Sequence, residues 1–262
     1  ILFEKTKGIL AELDAIKHLM AGANQKTTQL TISSTHVLVS TWLSLHLKEF
    51  LDGNPDFRVD LYAENVPPRK IWQKADVTIR PFMEEGEDSL VQEYLMKCHL
   101  HLYASKEYLE KYGAPKQVED LDNHRLFLLA EPESFYSESD IHWPLTIGTK
   151  FNQKRKPYMR LNSLQGMYNL VKAGAGIGAF IYQMPLLQGS ELIPILPEDI
   201  NKEIDIYYIY RKEYQNLQKI RLFGEFLKKL VNTSHKKEKN KSNCTRKSKS
   251  EGNIRCLNGL KT

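Results

Sequence analysis

Cysteine is scarce in this chain. There are three in 262 residues, Cys98, Cys244 and Cys256, and none sits in a CxxC pair or at Cys/His ligand spacing. Nothing therefore supports a disulfide framework or a zinc site, and a reduced, cytoplasmic setting is the expectation. Long apolar runs are also missing. No stretch of about 18 apolar residues occurs, so no transmembrane helix and no membrane partner is expected. The opening ILFEKTKGILAELDAIKHLM carries Glu4, Glu12 and Asp14 and has no continuous apolar core, unlike a secretory signal. No GxSxG, HExxH, Walker loop or cysteine beside an activating base is present. Neither catalysis nor a cofactor has a sequence signature, and the chain is expected not to be an enzyme.

What is present is ordinary for a soluble globular protein: 41% hydrophobic and 26% charged residues. The net charge of +5 is unevenly placed. Residues 232–262 hold nine Lys/Arg against two acids, which leaves residues 1–231 at −2. Such a body does not read as a nucleic-acid surface. The tail 232–262 is Lys-, Ser- and Asn-rich and is expected to be disordered. A solvated or even non-native extension and a DNA-binding arm are its two readings.

Leu2, Thr6, Ile9, Leu13, Ile16 and Met20 are spaced alternately four and three apart, a heptad seam with one polar member. Three heptads are too few to stand alone. Residues 1–24 are expected to pack on a partner helix, with Leu2, Ile9, Leu13, Ile16 and Met20 as dimerisation residues of a homo-oligomer. An ordinary amphipathic helix on its own domain is the alternative.

Beyond the break at 21–24, Gln29–Ser33 alternates as a strand, and Ser33, Ser34 and Thr35 turn into a helix from His36 to Leu51. Phe57–Tyr62 is a second strand, Pro67–Gln73 a short helix and Ala75–Arg80 a third strand. That order implies parallel strands with right-handed crossovers. Leu90–Ser105 reads as extended, Lys106–Tyr112 as a helix, Arg125–Leu129 and Lys150–Leu161 as strands, Ile204–Tyr210 as a strand and Leu217–Val231 as an amphipathic helix. The fold class expected is α/β and two-lobed. Lobe I takes 28–103 plus 181–231, lobe II takes 104–180, and together they form a domain over 25–231 with a ligand cleft.

The stretch Asn162–Ile181, NSLQGMYNLVKAGAGIGAFI, carries the most information. Asn162 with Gln165 three residues on is a capping-box variant, and Gly174, Gly176 and Gly178 close the helix. A dinucleotide loop has its glycines before a helix, not after it, so this GxGxG is no nucleotide site. What remains is a helix start at Asn162 and Ser163 whose unpaired N–H groups suit a small anion. The plain alternative is that Asn162 only caps its helix.

Other constellations say less. His99 and His101 share one strand face, but no third metal ligand has suggestive spacing. His124 reads as a turn residue, and Trp42 and Trp72 as core or interface residues.

Residues 1–231 resemble the LysR-type transcriptional regulators in their effector-binding domain. The resemblance rests on Ala75-Asp-Val-Thr-Ile-Arg80, Leu102-Tyr-Ala-Ser-Lys-Glu-Tyr-Leu109, Tyr112-Gly-Ala-Pro115, Asp120-Leu-Asp-Asn-His124, Asn162 and Val171-Lys-Ala-Gly-Ala-Gly-Ile-Gly178, in order and at family-like intervals. It implies a type II periplasmic-binding-protein-like fold preceded by a linker helix, here without the winged helix-turn-helix that reads DNA in the family. DNA would then be a partner only through that missing part. It also implies a small-molecule effector, often a carboxylate or aromatic acid, held by Ser33, Ser34, Thr35, Arg80, Pro81, Asn162 and Ser163. The physics of hydroxyls beside helix starts and of a bidentate arginine is compatible with an anion. For Arg80 a structural salt bridge is the other reading. A solute-binding protein of a transporter, with the same two lobes, is the rival function; an enzyme on that fold would need a catalytic group that the sequence does not display.

Overall fold

The computed structural model describes residues 27–64, 75–81, 87–129, 142–150, 153–182, 184–197 and 199–233. The heptad seam, the basic tail beyond 233, the helix expected at Pro67–Gln73 and Trp72 lie outside these residues.

Three strands open the fold: β1 (Thr28–Ser34), β2 (Phe57–Ala63) and β3 (Val77–Pro81). β1 pairs in parallel with both others, as the alternation of strand and helix patterns requires. Between β1 and β2 runs one helix, α1, made of His36–Leu38, a π-helical turn Val39–Leu43 and Ser44–Gly53. The π turn has a local cause. The Ser40 hydroxyl donates to the His36 carbonyl and the Thr41 hydroxyl to the Val37 carbonyl, each at 2.7 Å, and such back-bonding loosens a helical ladder.

β4 (Leu90–Ser105) is 16 residues long and is the spine of the molecule. Its first part pairs antiparallel with β9 (Lys202–Arg211), and its last part with β7 (Gly178–Ile181) and β8 (Leu192–Ile195). β9 also pairs antiparallel with β3, so the main sheet runs β2-β1-β3-β9-β4-β7 with β8 against β4. β4 leads into α2 (Lys106–Tyr112). β5 (Phe127–Leu129) and β6 (Met159–Leu161) form a separate parallel pair, with α3 (Trp143–Thr146) between them in sequence. A parallel bridge from Leu126 to Ile177 ties that pair to the run into β7. The strand expected over Lys150–Leu161 is therefore three residues long. Its earlier part is turned aside by a Gln153 N–H to Lys150 carbonyl bond and by Arg155, whose side chain points inward.

Among the described residues the buried apolar side chains form three clusters. The largest joins β1–β3, α1 and the first part of β4 with β9 and the last helix, here called the first half of the molecule, and includes Leu30, Ile32, Leu43, Phe50, Val77, Ile79, Cys98, Ile206, Tyr208, Phe223 and Leu227. Phe50 meets Phe57 and Phe223 at 5.2 Å between ring centres and Phe226 at 5.3 Å, so α1, β2 and the last helix, α5 (218–233), share one aromatic core. The Lys219 ammonium sits 2.7 Å from Asp76 and 3.0 Å from the Gln29 carbonyl. Asp76 accepts from the Thr31 N–H as well, so a buried, hydrogen-bonded ion pair fixes α5 across the starts of β1 and β3. The other two clusters lie in the second half, around Leu102, Tyr108, Leu121 and Trp143, and around Phe127, Met167, Val171 and Phe180. Met184, Leu192 and Ile195 belong to these second-half clusters. The segment 184–195 thus packs with the second unit, whereas a boundary at residue 181 assigns it to the first.

Candidate functional site

The strand order 2-1-3 creates a switch point. The chain leaves β1 toward β2 on one side and returns at β3 on the other. Ligands of open α/β sheets bind beyond the carboxyl ends of the strands at such a point. Here those ends are Ser33, Ser34 and Thr35 on β1 and Arg80 and Pro81 on β3, brought together by the register Ser33–Thr78 and Ser34–Ile79.

The hydroxyls differ in what they can still do. The Ser34 Oγ is buried and donates to the Ile79 carbonyl at 2.6 Å, joining the two strand ends. Its only proton is thereby directed to that carbonyl, and its lone pairs remain as acceptors. Thr35 N-caps α1, its Oγ1 accepting the Leu38 N–H at 3.2 Å, and keeps its own proton. Ser33 is 2% exposed and its Oγ has no hydrogen-bond partner. Neither does the Oγ1 of Thr78, which is its register partner and fully buried. Two such hydroxyls side by side carry a desolvation cost of about 1–3 kcal/mol each. Thr78 is the residue the sequence reading missed. The signal was available, because strand alternation in Ala75–Arg80 puts Thr78 and Arg80 on one face.

Arg80 is 5% exposed and lies opposite Tyr207 of β9, with Pro81 opposite Ile206. A guanidinium this deep presents a full charge and a donor fork in a low-dielectric setting.

Asn162 and Ser163 stand elsewhere, between β6 and α4 (Leu164–Lys172), and both are exposed. Ser163 is the cap: its Oγ accepts the Gly166 N–H at 3.0 Å. This corrects the assignment of the cap to Asn162. With Ser163 as the cap, the third helical position is Gly166, which has no side chain to complete a capping box, and Gln165 instead donates its amide to the Asn169 side chain at 3.0 Å. Gly174, at φ +74°, ends the helix in the left-handed region. A Cβ on Gly176 would lie 2.6 Å from the Arg125 carbonyl, so only glycine lets the chain turn this tightly into β7. The two groups of expected residues are connected through the sheet, along β3-β9-β4-β7.

Between them β4 and β9 present Tyr94 against Tyr207, Lys97 against Asp205 and His99 against Glu203. Lys97 binds Glu203 at 2.5 Å, and this hydrogen bond lowers the Glu203 pKa and raises that of Lys97. His99 lies 3.7 Å from Glu203, and His101 rests against the Tyr182 ring, 5.6 Å between centres. Among the described residues no group of three His, Cys, Asp or Glu is placed to hold a metal ion. Burial pushes the Cys98 thiol up to about 12, which makes it a packing residue rather than a nucleophile. His124 sits within 3.2 Å of the Tyr108 hydroxyl, which also accepts the Arg125 N–H at 2.9 Å. No helix among the described residues is long and apolar enough to cross a membrane.

Comparison with known proteins agrees with this architecture. Residues 23–232 match the family model of the LysR substrate binding domain. An HTH-type transcriptional regulator of Haemophilus influenzae is 26% identical over 224 residues, spanning 79% of this chain and 72% of that protein. The HTH-type transcriptional regulator CrgA of Neisseria meningitidis is 25% identical over 231 residues, 86% of this chain and 75% of that protein. Among solved structures, the CrgA regulatory domain superposes with a TM-score of 0.65 at 22% identity, covering 78% of this chain and 99% of that one. The full-length virulence activator AphB of Vibrio cholerae gives 0.60 at 19% identity, covering 88% of this chain and 78% of that one. These likenesses establish the α/β, periplasmic-binding-protein-like fold expected from the sequence. The family match extends over most of the chain, and the protein described here belongs to the LysR substrate-binding-domain family.

Proposed function

We propose that this chain is the effector-sensing part of a LysR-type transcriptional regulator and that it takes a small anion at the carboxyl ends of β1 and β3. One observation carries the reading. At the switch point a buried arginine, Arg80, lies on the strand face that holds two buried hydroxyls lacking partners, Ser33 and Thr78. Thr35 and Pro81 border the same strand ends, and the Asn162–Ser163 helix start supplies a second set of donors from the other lobe. Lobe I takes 28–100 with 202–233 and lobe II takes 101–200. An anion binding the lobes better in one relative placement than another shifts the population toward it, and that shift is the signal. Pairing through Leu2, Ile9, Leu13, Ile16 and Met20 would relay the shift to a second copy and, through it, to DNA. A transporter's solute-binding protein has no comparable support among the relatives, which are named transcriptional regulators.

The test is a thermal-shift and calorimetric titration with small mono- and dicarboxylates. A carboxylate that raises the melting temperature of the wild-type chain should bind Arg80→Lys at least about tenfold more weakly, because one charge-assisted hydrogen bond is worth about 1.5–3 kcal/mol. Undiminished affinity in that variant, or no carboxylate response in the wild type, would sink the assignment.

A further inference from the structure

We propose that the outer edge of β2 is a contact between two copies of this chain, joined as antiparallel neighbours across a two-fold axis at Val59. β2 ends the main sheet, and among the described residues β1 is its only strand partner. The Thr28 N–H bonds the Asp56 carbonyl, and the Glu64 N–H bonds the Ser34 carbonyl, so the even-numbered residues of this stretch turn their backbone groups toward β1. Backbone groups alternate in direction along a strand, and Val59 and Leu61 therefore turn theirs to the open side. The devices that blunt a sheet edge are missing here. β2 runs seven residues, Phe57–Ala63, with no proline, glycine or lysine and no register shift against β1. β8 and β6, which also pair with one strand each, are different: β8 has four residues and carries Pro194, and β6 has three. On the inner face of β2, Phe57 is buried, but Val59 and Leu61 are only partly covered, which leaves apolar surface at the edge.

Charge selects the occupant. The outer face of β2 carries Arg58 and Asp60, both exposed and of opposite sign. With Val59 opposite its own copy, Arg58 of each chain stands opposite Asp60 of the other. These are non-hydrogen-bonded positions, where side chains across an antiparallel pair come closest and opposite charges stabilise it. A slide of two residues in either direction sets Asp60 against Asp60 or Arg58 against Arg58, which like charges oppose. The same register sets Phe57 against Leu61 on the inner face and lets the two Val59 residues exchange N–H to carbonyl bonds. In the single chain both charges are held locally: Arg58 Nη1 donates to the Pro55 and Phe57 carbonyls at 3.1 and 2.8 Å, and Asp60 accepts from the Gln29 amide at 2.8 Å. Release of the Phe57 carbonyl frees it for the Leu61 N–H of the other copy. A strand with this spacing of opposite charges is its own complement, and a two-fold contact closes at two copies. No residue of the anion site takes part, so the proposal does not depend on the effector reading. It is also separate from the pairing through the heptad seam.

The experiment measures the mass of the whole chain by light scattering for the wild type, Arg58→Asp, Asp60→Arg and the two changes combined. Each single reversal sets like charges against each other on both sides of the axis and should lower the mass about twofold, whatever the heptad seam contributes to all four proteins. The combined variant restores opposite charges and should restore the wild-type mass. Val59→Pro removes an outward N–H without touching the bonds to β1, and it should lower the mass like the single reversals. Circular dichroism checks that each variant is folded. A second measurement needs no variant: in the wild type the Val59 and Leu61 N–H groups should exchange slowly at high concentration and quickly on dilution. Exchange that is equally fast at every concentration overturns the proposal. So does a mass that the single reversals leave unchanged, or a combined variant that stays at the lower mass, which would assign the edge to a contact of another register.

Discussion

The two halves of the molecule are held together by different means. The first half is a ladder structure: seven-residue β1 and β2, a β3 paired on both sides, and one aromatic core closed by α5. The second half has short strands, three residues each in β5 and β6, and two smaller cores. It relies on side-chain staples instead: Arg155 bonded to Asp122 and to the Pro144, Ile147 and Val118 carbonyls, the Tyr112–Arg125–Tyr158 stack and the close approach at Gly176. Long ladders distribute load, while a staple concentrates it in one residue. The first half should therefore unfold as a block, and the second should loosen piece by piece.

The largest test of that contrast is Phe223→Ala. Phe223 is fully buried between Phe50, Phe226 and Tyr208, so the change should cost about 3–5 kcal/mol and lower the urea midpoint of the whole chain. A loss confined to α5, with the rest unfolding at the wild-type midpoint, would break the picture of a block. Arg155→Met comes next. It leaves three carbonyls without their donor, a cost of about 1–3 kcal/mol, and should speed hydrogen exchange over 118–161 while β1–β3 keep their protection. Equal deprotection of β1–β3 would show that the halves are not independent.

The smallest effect is on pH dependence. Burial pushes the Glu93 carboxyl up, but hydrogen bonds from Lys228 and Tyr210 more than offset it, and the net pKa lies below the ordinary 4.5. A lowered carboxyl pKa gives stability that is complete above the unfolded value and is lost as pH falls through the folded one. Melting temperatures should therefore drop on acidification below 4.5, and Glu93→Gln should flatten that limb. An identical acid limb in the variant would remove Glu93 from the account.

The sequence reading was best where one rule acted alone. Alternating strand and helix patterns placed β1, β2 and β3 and their parallel sense, and the hydroxyl run with Arg80 marked the strand ends. Where two residues could satisfy the same rule, it chose wrongly: Asn162 and Ser163 are both good caps, and only backbone geometry selects Ser163. Strand order was beyond reach. Nothing local in Lys202–Arg211 announces that it pairs antiparallel between β3 and β4, because its partners, such as Leu100 for Lys202 and Val77 for Tyr210, lie far away along the chain. Arg155 was invisible for the opposite reason, since its neighbours are also basic and only one of them turns inward. Net charge misled in the same way, its sum hiding a local excess at 150–160.

The register shift between Tyr94 and Met96 has a consequence for how this chain can vary in length. There β4 sets two residues, Leu95 and Met96, against Ile206 alone. Loss of one residue at that step would leave Lys97, His99 and Tyr103 on their present face. Loss of one residue elsewhere along β4 would turn every side chain beyond it over: before Lys97 it would turn that lysine to the opposite face, and between Lys97 and Leu102 it would turn the buried Leu102 outward. Of its sixteen residues, the strand that joins the halves has one step at which an ancestor or an engineer could shorten it without rewriting the other half.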